Sequence, residues 1–246
     1  MSRFYIKPDS VKDDKIFLKG EELHHVRDVM RLDVGDAIVA FDGQGKEYIG
    51  KIAGSSSKEL VIKINKIVSG ARSQGSQISL ACGIPKLDRM DYIVQKSTEL
   101  GVKSIYPLMT KRTIVSLSDE KKAQARKARW ERIAVESSKQ CGRAVLPEIK
   151  PVTGFSQFMQ SLKGFDLALI AALAEDVKDL KDVLRNSSVK NVVLLIGPEG
   201  DFTKEEVDAA VKKGCVPVSL GPLVLRCDTA AIYGLSVLNY ESLYKQ

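Results

Sequence analysis

Two turns of similar composition, each after an apolar run, contain the residues best suited to hold a ligand. A Gly-Pro-Glu-Gly turn at 197–200 follows the run 192–196, and a Gly-Pro pair at 221–222 follows 216–220. Glycine lets backbone approach a ligand closely, and the apolar loop 223–225 is costly in water unless it folds over something. One Gly-Pro pair is most simply a chain turn. Two pairs at equivalent positions favour a site of backbone groups and apolar walls, which suits an adenine-like ring.

Other kinds of chemistry have little support in the sequence. The only histidines, His24 and His25, are adjacent and far from the glycine turns, so a Ser-His-Asp triad is poorly supplied. A His-rich metal site is not available, and we expect no bound metal. The four cysteines are scattered without a Cys-x-x-Cys pair, which argues against a disulfide framework. The glycine fingerprints of dinucleotide and triphosphate sites are missing, which disfavours an NAD-type oxidoreductase.

Composition favours a polyanionic partner. The 246 residues have a formal net charge of +7 and a pI near 9.1, although many enzymes without a nucleic-acid partner are mildly basic. No apolar run approaches the roughly 18 residues that a membrane span needs, and residues 1–8 lack the apolar core of a signal peptide. We therefore expect a cytoplasmic protein that does not bind membranes.

The chain after residue 76 alternates apolar runs with helical patterns, which predicts an α/β fold with a parallel sheet covered by helices. The expected strands are 77–84, 103–108, 166–172, 191–196 and 216–220, and the expected helices begin near Asp88, Ser118, Thr203 and Asp228. Thr203 and Glu206 form a capping box. Ligands of such sheets bind outside the carboxyl ends of the strands. The strand ends at 171–175, 196–200 and 220–226 could therefore converge on one pocket.

The sequence pattern before residue 69 predicts a small β-rich unit. Strands are expected at 3–6, 15–18, 36–41 and from residue 60, with one short helix at 21–31. Several strands with one helix suggest a compact barrel. The polar, glycine-containing stretch 69–76 is typical of a linker. We therefore divide the chain into domains 1–70 and 71–246.

Blocks of sequence along nearly the whole chain show a family resemblance. They are ELHHVRDVMR at 22–31, VGD at 34–36, KLDRMD at 86–91, KSTELGV at 96–102, RW at 129–130, AVESSKQCGR at 134–143, IGPEG at 196–200 and the segment 220–230. Each block alone is weak, but their order and spacing are specific. The chain resembles the bacterial 16S ribosomal RNA uridine-N3 methyltransferases of the SPOUT superfamily.

The resemblance implies an architecture and an activity. The expected fold is an N-terminal PUA-like β-barrel, which binds RNA, followed by a SPOUT α/β domain with a C-terminal trefoil knot. The implied cofactor is S-adenosylmethionine, bound in a bent form, and the implied partners are 16S ribosomal RNA or the 30S subunit and a second copy in a homodimer. The implied reaction transfers a methyl group to N3 of one uridine during ribosomal RNA processing.

Site residues follow from the turns and from the resemblance together. We expect the cofactor to contact mainly backbone at Leu173, Ile196, Gly197, Gly200, Leu220, Gly221, Leu225 and Thr229. Arg226 is the first catalytic candidate, since a guanidinium can stabilise negative charge developing on O2 or O4 of the base, or it could simply pair with Glu199 or Asp228. Glu199 could accept a proton, orient the base or cap the next helix. The basic residues expected to bind RNA are Arg3, His25, Arg27, Arg31, Lys86, Arg89, Lys139 and Arg143.

The sequence departs from the family pattern at three positions. Asp201 stands where a small residue is expected, and Cys227 and Asp228 stand where Thr and Glu are expected. Two rival interpretations stay open. One is a non-catalytic RNA-binding protein with a degenerate α/β domain, and the other is a SPOUT methyltransferase acting on transfer RNA.

Overall fold

The chain forms two compact units, each with its own core. A computed structural model describes residues 2–69, 77–114, 119–174, 176–185 and 190–244. The predicted linker beyond residue 69 and Glu175 lie outside these residues. The first unit comprises Met1–Ser73 and Ser138–Leu146, and the second comprises Gln74–Ser137 and Pro147–Gln246. The membership of 138–146 in the first unit was not anticipated from the sequence.

The first unit contains a six-stranded sheet in the order β1-β4-β5-β6-β3-β2. The strands are β1 (Ser2–Tyr5), β2 (Val11–Lys12), β3 (Lys15–Leu18), β4 (Ala37–Phe41), β5 (Lys46–Ser55) and β6 (Leu60–Ser69). The helix α1 (Gly20–His24) continues into a π-helical turn at His25–Val29. Sequence patterns missed β5, in which Gly50 interrupts the alternation. A Cβ at Gly50 would lie 2.3 Å from the Lys63 carbonyl oxygen, so β6 approaches too closely for a side chain there.

Alternating apolar residues of these strands form the core of the first unit, including Phe4, Ile38 and Leu60. Phe4 is almost fully buried in this core. The segment 138–146 joins the turn between β4 and β5 by backbone hydrogen bonds. Gly45 N–H donates to the Ala144 carbonyl at 3.2 Å, and Leu146 N–H donates to the Gly43 carbonyl at 2.9 Å. The first unit is therefore completed by a distant part of the chain.

The second unit is built on an eight-stranded parallel sheet, which confirms the α/β prediction. Its order is β10-β8-β7-β13-β11-β14-β12, and β9 pairs with β8. The strands are β7 (Gln77–Gly83), β8 (Ser104–Met109), β9 (Glu148–Ile149), β10 (Thr153–Gly154), β11 (Leu167–Ala171), β12 (Lys178–Asp179), β13 (Asn191–Ile196) and β14 (Val216–Ser219). Because β13, β11 and β14 are neighbours, their carboxyl ends lie at one edge, where the sequence predicts a pocket.

Six helices accompany this sheet in the described part of the chain. They are α2 (Arg89–Glu99), α3 (Glu120–Cys141), α4 (Phe155–Phe158), α5 (Leu180–Arg185), α6 (Lys204–Lys212) and α7 (Cys227–Tyr244). The capping box of Thr203 and Glu206 at α6 is confirmed. The helices expected to begin near Asp88 and Asp228 do begin there, to within one residue. Asp88 occupies the N-cap of α2 without a side-chain hydrogen bond to it, and Asp228 lies inside the first turn of α7.

The sheet of the second unit is buried on both faces, which explains its almost continuous apolar strands. Leu80, Leu169 and Leu194 pack on one face with Trp130 of α3 and with residues of α2 and α7. Their chain neighbours pack on the opposite face with α4 and Phe202. Among the helices of the described residues, none has the length and apolar character to cross a membrane.

Candidate ligand pocket and active site

A cavity of about 260 Å³ lies at the carboxyl ends of β11, β13 and β14. Its walls are formed by the three strand ends, by the loop 223–226 and by the first residues of α7. The loop side chains Leu223 and Val224 are 74% and 76% exposed, and Leu173 is 68% exposed. Apolar side chains held in water at the edge of a cavity are typical of a ligand site. The predicted convergence of the strand ends is therefore observed.

Most of the predicted cofactor residues line this cavity. They are Leu173, Ile196, Gly197, Leu220, Gly221 and Leu225, together with both catalytic candidates, Glu199 and Arg226. The structure places Gly200 and Thr229 outside the lining. Gly200 faces Arg112, whose Cδ would lie 3.2 Å from an added Cβ. Thr229 is exposed on α7, and its N–H donates to the Asp228 carboxylate at 3.1 Å.

The turn at Gly197 is closely packed. Asp201 N–H donates to the Pro198 carbonyl at 2.9 Å, which closes the turn. A Cβ at Gly197 would lie 2.8 Å from an Asp201 carboxylate oxygen and 2.9 Å from Asp201 Cα. A Cβ at Gly83, at the end of β7, would lie 2.5 Å from Pro198 Cδ. Glycine is thus required at 197 by the close approach of the turn's own backbone.

Glu199 is held by the loop that precedes α2, and it does not cap α6. Its Oε1 accepts a hydrogen bond from Lys86 N–H at 2.9 Å and lies 3.7 Å from Arg89 Nη1. Lys86 and Arg89 belong to the predicted RNA-binding set, and the structure brings them to Glu199. The hydrogen bond from Lys86 N–H and the ion pair with Arg89 hold the carboxylate at the cavity wall.

Arg226 has a much looser environment than Glu199. Its side chain is 65% exposed, and its Nε lies 3.8 Å from Asp228 Oδ1. Of the two pairings considered from the sequence, the structure therefore favours the one with Asp228. An exposed guanidinium beside the cavity is accessible to a large substrate.

The loop after β8 also holds the turn, a contact that no sequence motif predicts. The Arg112 guanidinium donates to the carbonyls of Gly200 and Phe202. Lys111 N–H donates to the buried Glu206 carboxylate at 2.8 Å. Glu206 thus has two partners, since its carboxylate also accepts from Thr203 N–H in the capping box.

Three predicted RNA-binding residues of the first unit have partners within that unit. Arg3 forms an ion pair with Glu47 and lies 4.6 Å from the centre of the Phe41 ring. Lys139 Nζ lies 2.8 Å from the Glu22 carboxylate. Arg143 donates to the Val145 carbonyl, and burial lowers the pKa of its guanidinium to about 10.

The other predicted residues of this unit lie in the π-helical turn after α1 and just beyond it. His25 contacts Phe4 edge-on with ring centres 5.8 Å apart. Arg27 is exposed and donates to Asp28 at 2.8 and 3.0 Å, which lowers the pKa of that carboxyl to about 2. Arg31 is exposed and has a left-handed backbone with φ of 52°. Of these residues, Arg27 and Arg31 are exposed on the surface of the first unit, and Arg27 is paired there with Asp28.

No group of three or more His, Cys, Asp or Glu side chains that could hold a metal occurs among the residues described. Three of the four cysteines are buried, and Cys227 lines the cavity. Burial raises the pKa of the Cys82 thiol well above its ordinary value and that of Cys215 to about 12. Burial, and then the charges of Glu199 and Asp228, also raise the pKa of Cys227.

We expect a maleimide at neutral pH to label the native protein once, at the exposed Cys141. The thiolate is the reactive form, and a raised pKa makes it rare. Mass spectrometry should find one adduct in native protein and four after unfolding. The Cys141→Ser variant serves as the control and should stay unlabelled while folded. Rapid native labelling of Cys227 would contradict this prediction.

Comparisons with known proteins agree with this geometry. Residues 72–239 match a family described as an RNA methyltransferase domain, and residues 18–65 match an RNA methyltransferase PUA domain. The ribosomal RNA small subunit methyltransferase E of Bacillus subtilis is 30% identical, with 98% of this chain and 97% of that protein covered. The chain belongs to this methyltransferase family.

Solved structures of similar proteins have the same fold. A putative methyltransferase of Legionella pneumophila, in complex with S-adenosylmethionine, has a TM-score of 0.88 and 35% identity. That comparison covers 97% of this chain and 96% of the other. The small subunit methyltransferase E of Neisseria gonorrhoeae, also bound to S-adenosylmethionine, has a TM-score of 0.87 and 28% identity. It covers 98% of this chain and 97% of that structure.

Proposed function

We propose that this chain transfers the methyl group of S-adenosylmethionine to N3 of a uridine in 16S ribosomal RNA. The observation that supports this most directly is the cavity, whose walls include the Gly197 turn, the apolar loop 223–226 and both Glu199 and Arg226. Family relatives named as small subunit methyltransferases support the class of substrate.

The residues of the cavity fit such a methyl donor. Backbone groups of Ile196, Gly197 and Leu220 offer donors and acceptors for an adenine ring, and Leu173 and Leu225 offer apolar contacts. The bound donor would supply a methyl group on a positively charged sulfur. The charged residues of the lining are Glu199 and Asp201 on one side and Arg89 and Arg226 on the other, so acidic and basic groups balance there.

The chain's own residues would position the uridine and stabilise its anionic form. N3 of uridine has a proton that must leave before or during attack on the methyl group. Arg226 would donate to O2 or O4 of the base as negative charge develops there. Glu199, fixed by Lys86 and Arg89, would orient the base or accept the proton. Holding the reactants in line would be a large part of the acceleration, since orientation can contribute about 7–11 kcal/mol.

The remaining parts of the proposal concern RNA and assembly. Residues 1–70 would act as a PUA-like barrel that binds RNA, with Arg27 and Arg31 at its exposed surface and His25 half-buried beside Phe4. Arg3, Lys139 and Arg143 would have to exchange their present partners for phosphate. Residues 71–246 would form the knotted SPOUT domain of a cytoplasmic homodimer. The path of α7, which follows β14 yet packs against α2, β7 and β13, supports a chain that crosses back through the pocket loops.

Mass spectrometry of 16S nucleosides tests the reaction. We expect 3-methyluridine in 16S RNA from cells with the gene and its loss from cells without it. Purified protein, S-adenosylmethionine and 30S subunits from the deletion strain should restore the modification. Transfer RNA is the control substrate and should accept no methyl group. Unchanged 16S nucleosides together with an altered transfer RNA nucleoside would replace the proposed substrate.

A further inference from the structure

Asp201 has a backbone conformation that few residues other than glycine adopt easily. Its φ is 60°, in the left-handed region, where aspartate and asparagine are tolerated better than most side chains. Glycine would satisfy the backbone at no steric cost, so the aspartate side chain needs a separate reason.

The side chain of Asp201 joins two walls of the cavity. Its Oδ2 accepts a hydrogen bond from Leu173 N–H at 2.9 Å. Asp201 belongs to the turn after β13, whereas Leu173 lies just beyond the end of β11. One carboxylate therefore connects the loops that follow two neighbouring strands, and both residues line the cavity.

The hydrogen bonds between β11 and its neighbouring strands end before Leu173. The preceding amide, Ala172 N–H, still reaches the Val218 carbonyl of β14, at a long 3.4 Å. The next amide, Leu173 N–H, donates to the Asp201 carboxylate and not to a strand. The Leu173 side chain is 68% exposed, so little apolar packing would keep this backbone in place without that hydrogen bond.

We infer that Asp201 is a positioning residue of the methyl-donor pocket. Its side chain ties the end of β11 to the Gly197 turn by a hydrogen bond. This inference rests on the proposed function, because it assigns the pocket to S-adenosylmethionine. With this hydrogen bond in place, the backbone at Leu173 presents its donors and acceptors in the binding geometry before the ligand arrives. Less conformational freedom is then lost on binding, which raises affinity.

Three variants separate the hydrogen bond from the backbone conformation. Asp201→Gly keeps the left-handed turn and removes the hydrogen bond from Leu173 N–H. Asp201→Asn keeps an oxygen acceptor for Leu173 N–H and removes the charge. Asp13→Gly is the matched control, since Asp13 also has a left-handed backbone, with φ of 51°, in the first unit.

Calorimetric titration with S-adenosylmethionine and hydrogen exchange of the unliganded protein give independent readouts. We expect Asp201→Gly to raise Kd about fivefold, the loss expected for one ordinary hydrogen bond, and to speed exchange in a peptide containing Leu173. Asp201→Asn should restore both properties nearly to the wild-type values, and Asp13→Gly should change neither.

Wild-type affinity and wild-type exchange in Asp201→Gly would overturn the positioning role of Asp201. An Asp201→Asn variant as weak as Asp201→Gly would also overturn it, because charge rather than the hydrogen bond would then decide. Wild-type protein that binds no S-adenosylmethionine would overturn the proposed function and this inference together, and that result is distinguishable from the first two.

Discussion

The Gly197→Val variant should lose measurable binding of S-adenosylmethionine while it remains folded. A Cβ at this position would lie 2.9 Å from both Cα and C of Asp201, which are backbone atoms that cannot rotate away. The turn at 197–201 must therefore move as a whole, and it forms a wall of the cavity. Overpacking of this kind costs about 1–3 kcal/mol, and the larger valine branches add to it. Isothermal titration calorimetry measures the loss.

Gly197→Ala adds only the Cβ and should weaken binding less than Gly197→Val does. Gly154→Ala is the control. We expect the alanine variant to raise Kd by about 10- to 100-fold, which corresponds to the same energy range. Gly154 has no heavy atom within 4 Å of an added Cβ and lies outside the cavity lining. Its variant should bind as the wild type does. Retained binding by Gly197→Val would move the cofactor site away from this cavity.

The Arg226→Ala variant should lower kcat about 100- to 1,000-fold, the loss seen when one donor to a developing negative charge is removed. Its Kd for S-adenosylmethionine should stay within about twofold, since the guanidinium is proposed to act on the uridine, not on the methyl donor. The side chain is 65% exposed and makes one loose ion pair, so the fold should be unaffected. Single-turnover methyl transfer to 30S subunits gives the rate.

Asp228→Asn distinguishes a direct role of Arg226 from a role in shaping the loop. If Arg226 acts only through its ion pair with Asp228, both variants should lose activity equally. If Arg226 acts on the base, Asp228→Asn should retain most activity, and Arg226→Lys should recover only part of the loss because its charge lacks the planar donor geometry. Equal losses of kcat and of cofactor affinity in Arg226→Ala would contradict the proposed division of roles.

Sequence patterns predicted the five longer strands of the second unit because these strands are buried on both faces, but they missed the two-residue strands β9, β10 and β12 and the short helices α4 and α5. The bounds of β13 match the predicted 191–196, and the capping box of α6 is present. These patterns depend on neighbours in sequence, which a single chain displays. The strand β5 was missed because its alternation includes Gly50, whose role is set by contact with β6.

The candidate site could be predicted only in outline. Its backbone wall followed from two Gly-Pro turns, and its cofactor from family resemblance. The pairing of Glu199 with Lys86 and Arg89 could not be predicted, because more than 100 residues separate the partners and the attraction depends on the folded path. The same holds for Arg112, which reaches the Gly200 carbonyl from a loop without a recognisable motif.

The return of 138–146 to the first unit has a consequence for synthesis on the ribosome. The amino-terminal sheet emerges first, yet the turn between β4 and β5 obtains its backbone partners only when Ala144 and Leu146 have been translated. A fragment ending near residue 70 would therefore expose those donors and acceptors to water. Co-translational folding of the amino-terminal unit should reach completion only after more than half of the polypeptide has left the exit tunnel.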